Sequence, residues 1–171
     1  MITPIYCQTM ARYNAWQNQW MYAAVNALDD AERRADRGLF WGSMLGTLCH
    51  LYWGDLIWMA RFDGGPGPEL GLKDSMEAYD WPMLMNGRPE LDARITVWAG
   101  GLEQGDLEGD LSWMSGAAQR FMTMQKAVCI TQLFNHQTHH RGQVHAALTA
   151  IGVKTTDTDL PFMPDEVPQW P

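Results

Sequence analysis

Residues 124–151 contain no proline, have helix-forming residues on both flanks, and hold four of the chain's five histidines. This stretch constrains the fold more than any other. We read it as one long helix from about Met124 to Ile151, closed by Gly152. On a helix, His136 and His140 stand four residues apart, so their side chains leave one face about 5–6 Å from each other. Leu133, Val144, Ala147 and Ile151 share that face at steps of three and four. The two imidazoles therefore point into the protein.

A buried imidazole has to satisfy both ring nitrogens. Two arrangements do so. The pair can be core histidines bonded to neighbouring carbonyls, or each ring can place one nitrogen on a shared metal ion at roughly 2.0–2.1 Å and the other on a hydrogen-bond acceptor. The spacing leaves both open.

At 171 residues the chain is long enough to bury a core, and we expect one domain. Nine Trp and twelve Met point to a core and pocket of large, adaptable side chains. The net charge of -8 repels phosphates and anionic lipid, so neither nucleic acid nor membrane is an expected partner. No apolar run of about 18 residues spans a bilayer. Residues 1–11 lack the pattern of a signal peptide. Cys7, Cys49 and Cys129 form an odd set without CxxC spacing and read as reduced, buried thiols of a cytoplasmic protein.

Taken in order, Thr3-Pro4 caps a first helix that runs to about Leu28, with Tyr6, Met10, Tyr13, Trp20, Ala24 and Ala27 in its stripe. Asp29 to Gly38 is a polar connection. Ser43 caps a second helix to about Phe62, and Asp63 to Pro68 ends it. His50 lies mid-helix beside Leu51, Ile57 and Trp58. It is either a satisfied core residue or, where the second and last helices pack side by side, a third ligand. Residues 63–79 form a long loop with a turn of helix near Asp74 to Ala78, the kind of segment that serves as a lid or binding loop. Asp80-Trp81-Pro82 restarts a helix that Gly87 and Pro89 should break or kink, and a third main helix follows from Pro89 to about Leu102. Leu111–Met114 and Arg120–Thr123, joined by Ser115–Gln119, read as a small hairpin. The tail, residues 153–171, is proline-rich and extended, with Leu160, Phe162 and Trp170 as docking points.

The run His136-Gln137-Thr138-His139-His140-Arg141-Gly142-Gln143 resembles the signature of the DinB family, the DinB/YfiT-like metalloprotein superfamily. Gly46 to Asp55, followed by Trp58 and Arg61-Phe62, matches its second-helix pattern, and Tyr13 to Asn18 resembles its first helix. The likeness covers most of residues 3–152. It implies an all-α fold, a four-helix bundle in up-down-down-up order, to which the residues themselves add the small hairpin before the last helix, together with one divalent metal and often a homodimer. By matching motif, the implied ligands are His50, His136 and His140. Two departures stand out: Cys49 where the family often has Asn or Asp, and Pro89 inside what is usually one continuous third helix.

Three imidazoles leave a coordination position open, as in a catalytic rather than a structural site. Imidazole suits zinc and nickel, the two metals we favour, but also copper and iron. Related proteins are thiol-dependent transferases or isomerases, in which a metal-bound thiol loses its proton and attacks an electrophile. The resemblance thus implies a thiol S-transferase acting on small electrophiles. The alternative is a non-catalytic metal-binding stress-response protein. The H-E-x-x-H pattern is absent because Gln137 follows His136, which disfavours hydrolysis.

His139 lies about 100° off the ligand face and reads as a residue beside the site or on the surface; His145, about 140° off, is structural. Arg141 is an ion-pair residue or a clamp for a substrate carboxylate. Gly142 permits close helix packing, and Gln143 bonds to groups around the site. Tyr13, Asn14 and Trp58 line a pocket or pack in the core.

Overall fold

The computed structural model describes residues 1–167 and Trp170; Pro168, Gln169 and Pro171, all in the proline-rich tail, lie outside the described residues. The described chain is mostly helical. Its elements are α1 (Pro4–Asn26), α2 (Asp30–Arg34), α3 (Met44–Asp63), α4 (Trp81–Gly100), the strands β1 (Asp110–Ser115) and β2 (Arg120–Gln125), and α5 (Lys126–Ala150).

Local chemistry sets the boundaries. The Thr3 hydroxyl accepts from the Tyr6 N–H and Pro4 opens α1. Ser43 accepts from the Gly46 N–H to start α3. Gly64 ends α3 at φ 71°, donating to the Ala60 carbonyl, a left-handed turn that glycine adopts without steric cost. Asp80 caps α4 through the Met83 N–H. No side chain caps α5, because β2 runs straight into it.

Three features differ from the sequence reading. First, the polar connection after α1 contains the short helix α2, capped by Asp29. Second, the turn in the long loop is a single 3-10 turn at Leu72–Asp74, slightly earlier than read. Third, α4 is continuous from Trp81 through Gly87 and Pro89 to Gly100. An interior proline costs roughly 3 kcal/mol. Burial on both sides of Pro89 offsets it: Trp81 and Leu84 enter the core before it, Leu91, Ile95 and Ala99 after it.

The four long helices touch in a cycle, α1 to α4, α4 to α3, α3 to α5 and α5 back to α1. Their apolar faces form two clusters. One gathers Met21, Tyr22, Val25, Leu48, Leu84, Val144 and Leu148. The other gathers Cys7, Ala11, Met59, Ile95, Leu133 and Phe134. Between them, on every long helix, lies a buried polar belt: Asn14 and Asn18, Asp55, Arg88 and Asp92, and Gln137 and Arg141. Arg88 bridges Asp55 and Asp92, at 2.7 Å each. Asn18 donates to Asp92 at 2.9 Å, and Arg141 bonds Asn14. One guanidinium, that of Arg88, thus pairs with two buried carboxylates, and the nearby charge of Arg141 feels both of them, so the buried charges of the belt offset one another.

The hairpin pairs Leu111 with Met124 and Trp113 with Met122, antiparallel. All three cysteines are free and buried. The tail runs back over α1. Tyr13, Gln17 and Arg12 donate to its backbone carbonyls at Thr158, Asp157 and Pro164. Trp170 packs edge-on against Tyr22. Leu160 and Phe162 stay exposed, because the tail is held by its main chain rather than by those side chains. Among the described residues, no helix is long and apolar enough to cross a membrane.

Candidate metal centre

His50 projects from the middle of α3, and His136 and His140 from successive turns of α5. Because α3 and α5 pack together, residues far apart in the chain converge. The Nε2 of His136 lies 3.1 Å from the Nε2 of His50 and 3.1 Å from the Nε2 of His140. One ligand atom from each ring falls within 4.8 Å of the others, and the three could hold a metal ion.

The surroundings fit that role. The Nδ1 of His140 lies 2.8 Å from the Oε1 of Gln143, an acceptor, so Nδ1 carries the proton and the Nε2 lone pair faces inward. The Nδ1 of His50 lies 3.0 Å from the Ser75 hydroxyl, which anchors that ring and can pair with Nδ1 in either protonation state. The Nδ1 of His136 is buried without a hydrogen-bond partner among the described residues. Lone pairs facing one another at this distance repel unless a proton or cation sits between them. Two nitrogens 3.1 Å apart, each about 2.0–2.1 Å from one ion, subtend about 100° at it, within reach of tetrahedral geometry.

Burial also keeps the rings neutral. It lowers the pKa of His50 to about 4, with His140 adding to the shift. It lowers that of His136 to about 3, with His140, His50 and His139 adding to it. His140 is lowered too, chiefly by burial. Neutral imidazole is the form that binds metal.

Packing holds the rings in place. Trp41 stacks on His50 with centroids 4.0 Å apart. Gly54, one turn after His50, leaves room for His136: a Cβ there would sit 2.7 Å from Cε1 of that ring. A cavity of about 680 Å³ opens on His50 and His136, between α3, the loop at residues 67–72 and the hairpin tip. Its walls include Trp53, Ile57, Trp58, Leu70 and Trp113.

Of the other residues singled out in the sequence, Trp58 lines this cavity and Gln143 bonds behind His140. His139 is exposed, with its ring 4.9 Å from that of His140. Tyr13 and Asn14 lie elsewhere. Tyr13 donates to the tail at 2.6 Å and Asn14 donates to Asp92 at 3.2 Å, because their face of α1 meets the tail and the belt. Arg141 is no clamp in this cavity. It is buried in the belt with its guanidinium over the Tyr13 ring, and burial lowers its pKa to about 10. Gly142 does not serve close packing: it is exposed, and a Cβ there would meet nothing within 4 Å. Ser75, Trp41 and Gly54 were not singled out as site residues from the sequence. Gly54 alone carried a signal, a glycine one turn from His50 inside a helix.

The sequence profile of the DinB family matches residues 1–169. The chain is also similar to Protein DinB of Bacillus subtilis (strain 168), 23% identical over 152 residues that cover 86% of this chain and 87% of that relative. No solved structure matches the chain significantly.

Proposed function

The chain belongs to the DinB family, and on that premise we propose that it is a metal-dependent thiol S-transferase. In this reading His50, His136 and His140 hold one divalent ion, zinc or nickel, and the adjoining cavity receives a small electrophile and a low-molecular-weight thiol. The observation that carries it is a substrate-sized cavity opening on two of three converging neutral imidazoles. A bound ion with a position left open would supply a Lewis acid that lowers a thiol's pKa at neutral pH.

The chain's own residues do the rest. Gln143 accepts from the outer nitrogen of His140, so the inner lone pair of that ring keeps its aim, and Ser75 anchors the His50 ring through Nδ1. Trp41 fixes the plane of His50. The tryptophan-rich walls favour an apolar substrate body. No Asp or Glu lines the cavity among the described residues, so a general base for hydrolysis is not at hand. A thiol that is already ionised needs none.

We further read the cycle of helix contacts as the up-down-down-up bundle, and the protein as a cytoplasmic homodimer that handles neither nucleic acid nor membrane. Light scattering of the purified protein tests the dimer.

The functional test is metal analysis, followed by thiol consumption against a panel of electrophiles. Wild-type protein is expected to carry about one ion per chain. His136→Ala is expected to lose both the ion and turnover. Metal content unchanged in that variant would sink the site. One bound ion with no turnover on any electrophile would favour the non-catalytic alternative.

A further inference from the structure

Among the described residues that line the cavity beside the histidines, Arg61 alone carries a fixed charge. Its guanidinium lies 4.6 Å from the Trp58 ring and 5.1 Å from the Trp113 ring. The two indoles stand 5.5 Å apart at 66° and together hold it against the cavity wall. Stacking engages the faces of a guanidinium and leaves its in-plane N–H donors available.

Among the described residues the Arg61 side chain makes no ion pair and no hydrogen bond, whereas Arg88, Arg94 and Arg141 are each bonded to a side-chain oxygen. Asp106 lines a smaller cavity that Arg61 also borders, but its carboxylate accepts from the Glu103 N–H at 2.8 Å. Burial lowers the pKa of Arg61. In a chain with 20 acidic residues, a half-buried guanidinium kept clear of all of them is poised for an acceptor that arrives from outside.

We propose that Arg61 is the anion-recognition residue of this cavity, and that the cavity takes an apolar-bodied organic carboxylate. The carboxylate lies along the guanidinium edge, where two parallel N–H···O bonds match its geometry. The apolar body lies against Trp53, Ile57 and Leu70, and the far end of the molecule faces His50 and His136. This deepens the transferase reading by naming the chemical class of its substrate, and rests on that reading for the reaction.

The test titrates full-length protein with arylalkanoates of graded length, from benzoate to 5-phenylpentanoate, and with the matching amides. It is run on zinc-loaded and on chelator-treated protein, with binding followed by calorimetry. At least one acid is expected to bind about tenfold or more tighter than its amide in both forms, the scale of a charge-assisted bond. Arg61→Met is expected to abolish that preference and leave zinc stoichiometry unchanged. Arg61→Lys keeps the charge and the stem but loses the fork. It is expected to weaken the acid by about threefold or more, and serves as the readout if the methionine variant does not fold.

A preference that survives both substitutions, or none anywhere in the series, overturns the proposal. A preference seen only with zinc and indifferent to residue 61 assigns the carboxylate to the metal and overturns it too. A preference that depends on Arg61 in protein that binds no zinc upholds the proposal and removes the metal reading instead.

Discussion

A methyl group at residue 54 would stand 2.7 Å from Cε1 and 3.2 Å from Nδ1 of His136. Alanine ordinarily improves a helix interior, so Gly54→Ala should leave α3 formed but push the His136 ring off its position. Zinc affinity is expected to fall by tenfold or more (about 1.4 kcal/mol or above), read by competition with a chelating dye, while the far-ultraviolet circular dichroism stays unchanged. Affinity equal to wild type would mean that the ring has room to give way. The imidazoles also predict a pH dependence for chelator-treated protein. Their folded pKa values lie below the ordinary 6.5, at about 4 for His50 and about 3 for His136. Between those values and 6.5 the unfolded chain binds more protons than the folded one, so stability falls as pH drops through that window. The melting temperature should decline from pH 6.5 to pH 4, less steeply in His136→Gln, and identical slopes would contradict the assignment. His136 and His140 were legible because a four-residue step on an apolar stripe is a local pattern. His50 could not be joined to them by periodicity, since only the packing of α3 on α5 brings it near. Ser75 sits in an irregular loop, where no period marks the residue that turns inward.

Helix α4 shows how a local rule yields to tertiary burial. Glycine and proline within three residues read as a break, yet the helix passes through both. Gly87 is there for Tyr52, whose phenol crosses so closely that a Cβ would meet Cζ at 2.9 Å. Gly87→Ala therefore pits a propensity gain of about 1 kcal/mol against an overpacking cost of about 1–3 kcal/mol. We expect net destabilisation in chemical denaturation, and a stabilised variant would refute the close approach. Arg88, the next residue, has a larger role. Arg88→Met leaves Asp55 and Asp92 as buried carboxylates without their shared partner, at a cost of about 3–5 kcal/mol. Replacing both acids by Asn in the same chain should recover much of that loss. Arg88 falls four residues after Leu84 and three before Leu91, squarely on the buried stripe. A charged residue in that register was the readable sign of the belt, but its partners on other helices were not readable.

At the scale of the whole molecule, the tail closes the first helix against the rest of the chain. Three α1 side chains donate to its carbonyls. Ending the chain at Gly152 removes those bonds at about 0.5–1.5 kcal/mol each, and should lower the melting temperature by roughly 6–12 °C at a total of about 3 kcal/mol. Scanning calorimetry of the shortened chain checks this, and an unchanged transition would show the tail to be an idle appendage. The composition announced an extended proline-rich segment but not its course, because main-chain acceptors carry no sequence signal. The sealed interior has one practical result. Burial pushes the thiols of Cys7 and Cys49 up to about 11 and raises that of Cys129 as well. At neutral pH the folded chain should be silent toward Ellman's reagent and iodoacetamide. Any sulfhydryl counted in a turnover assay then belongs to the added cosubstrate, and alkylation under rising urea becomes a clock for how often the native state opens.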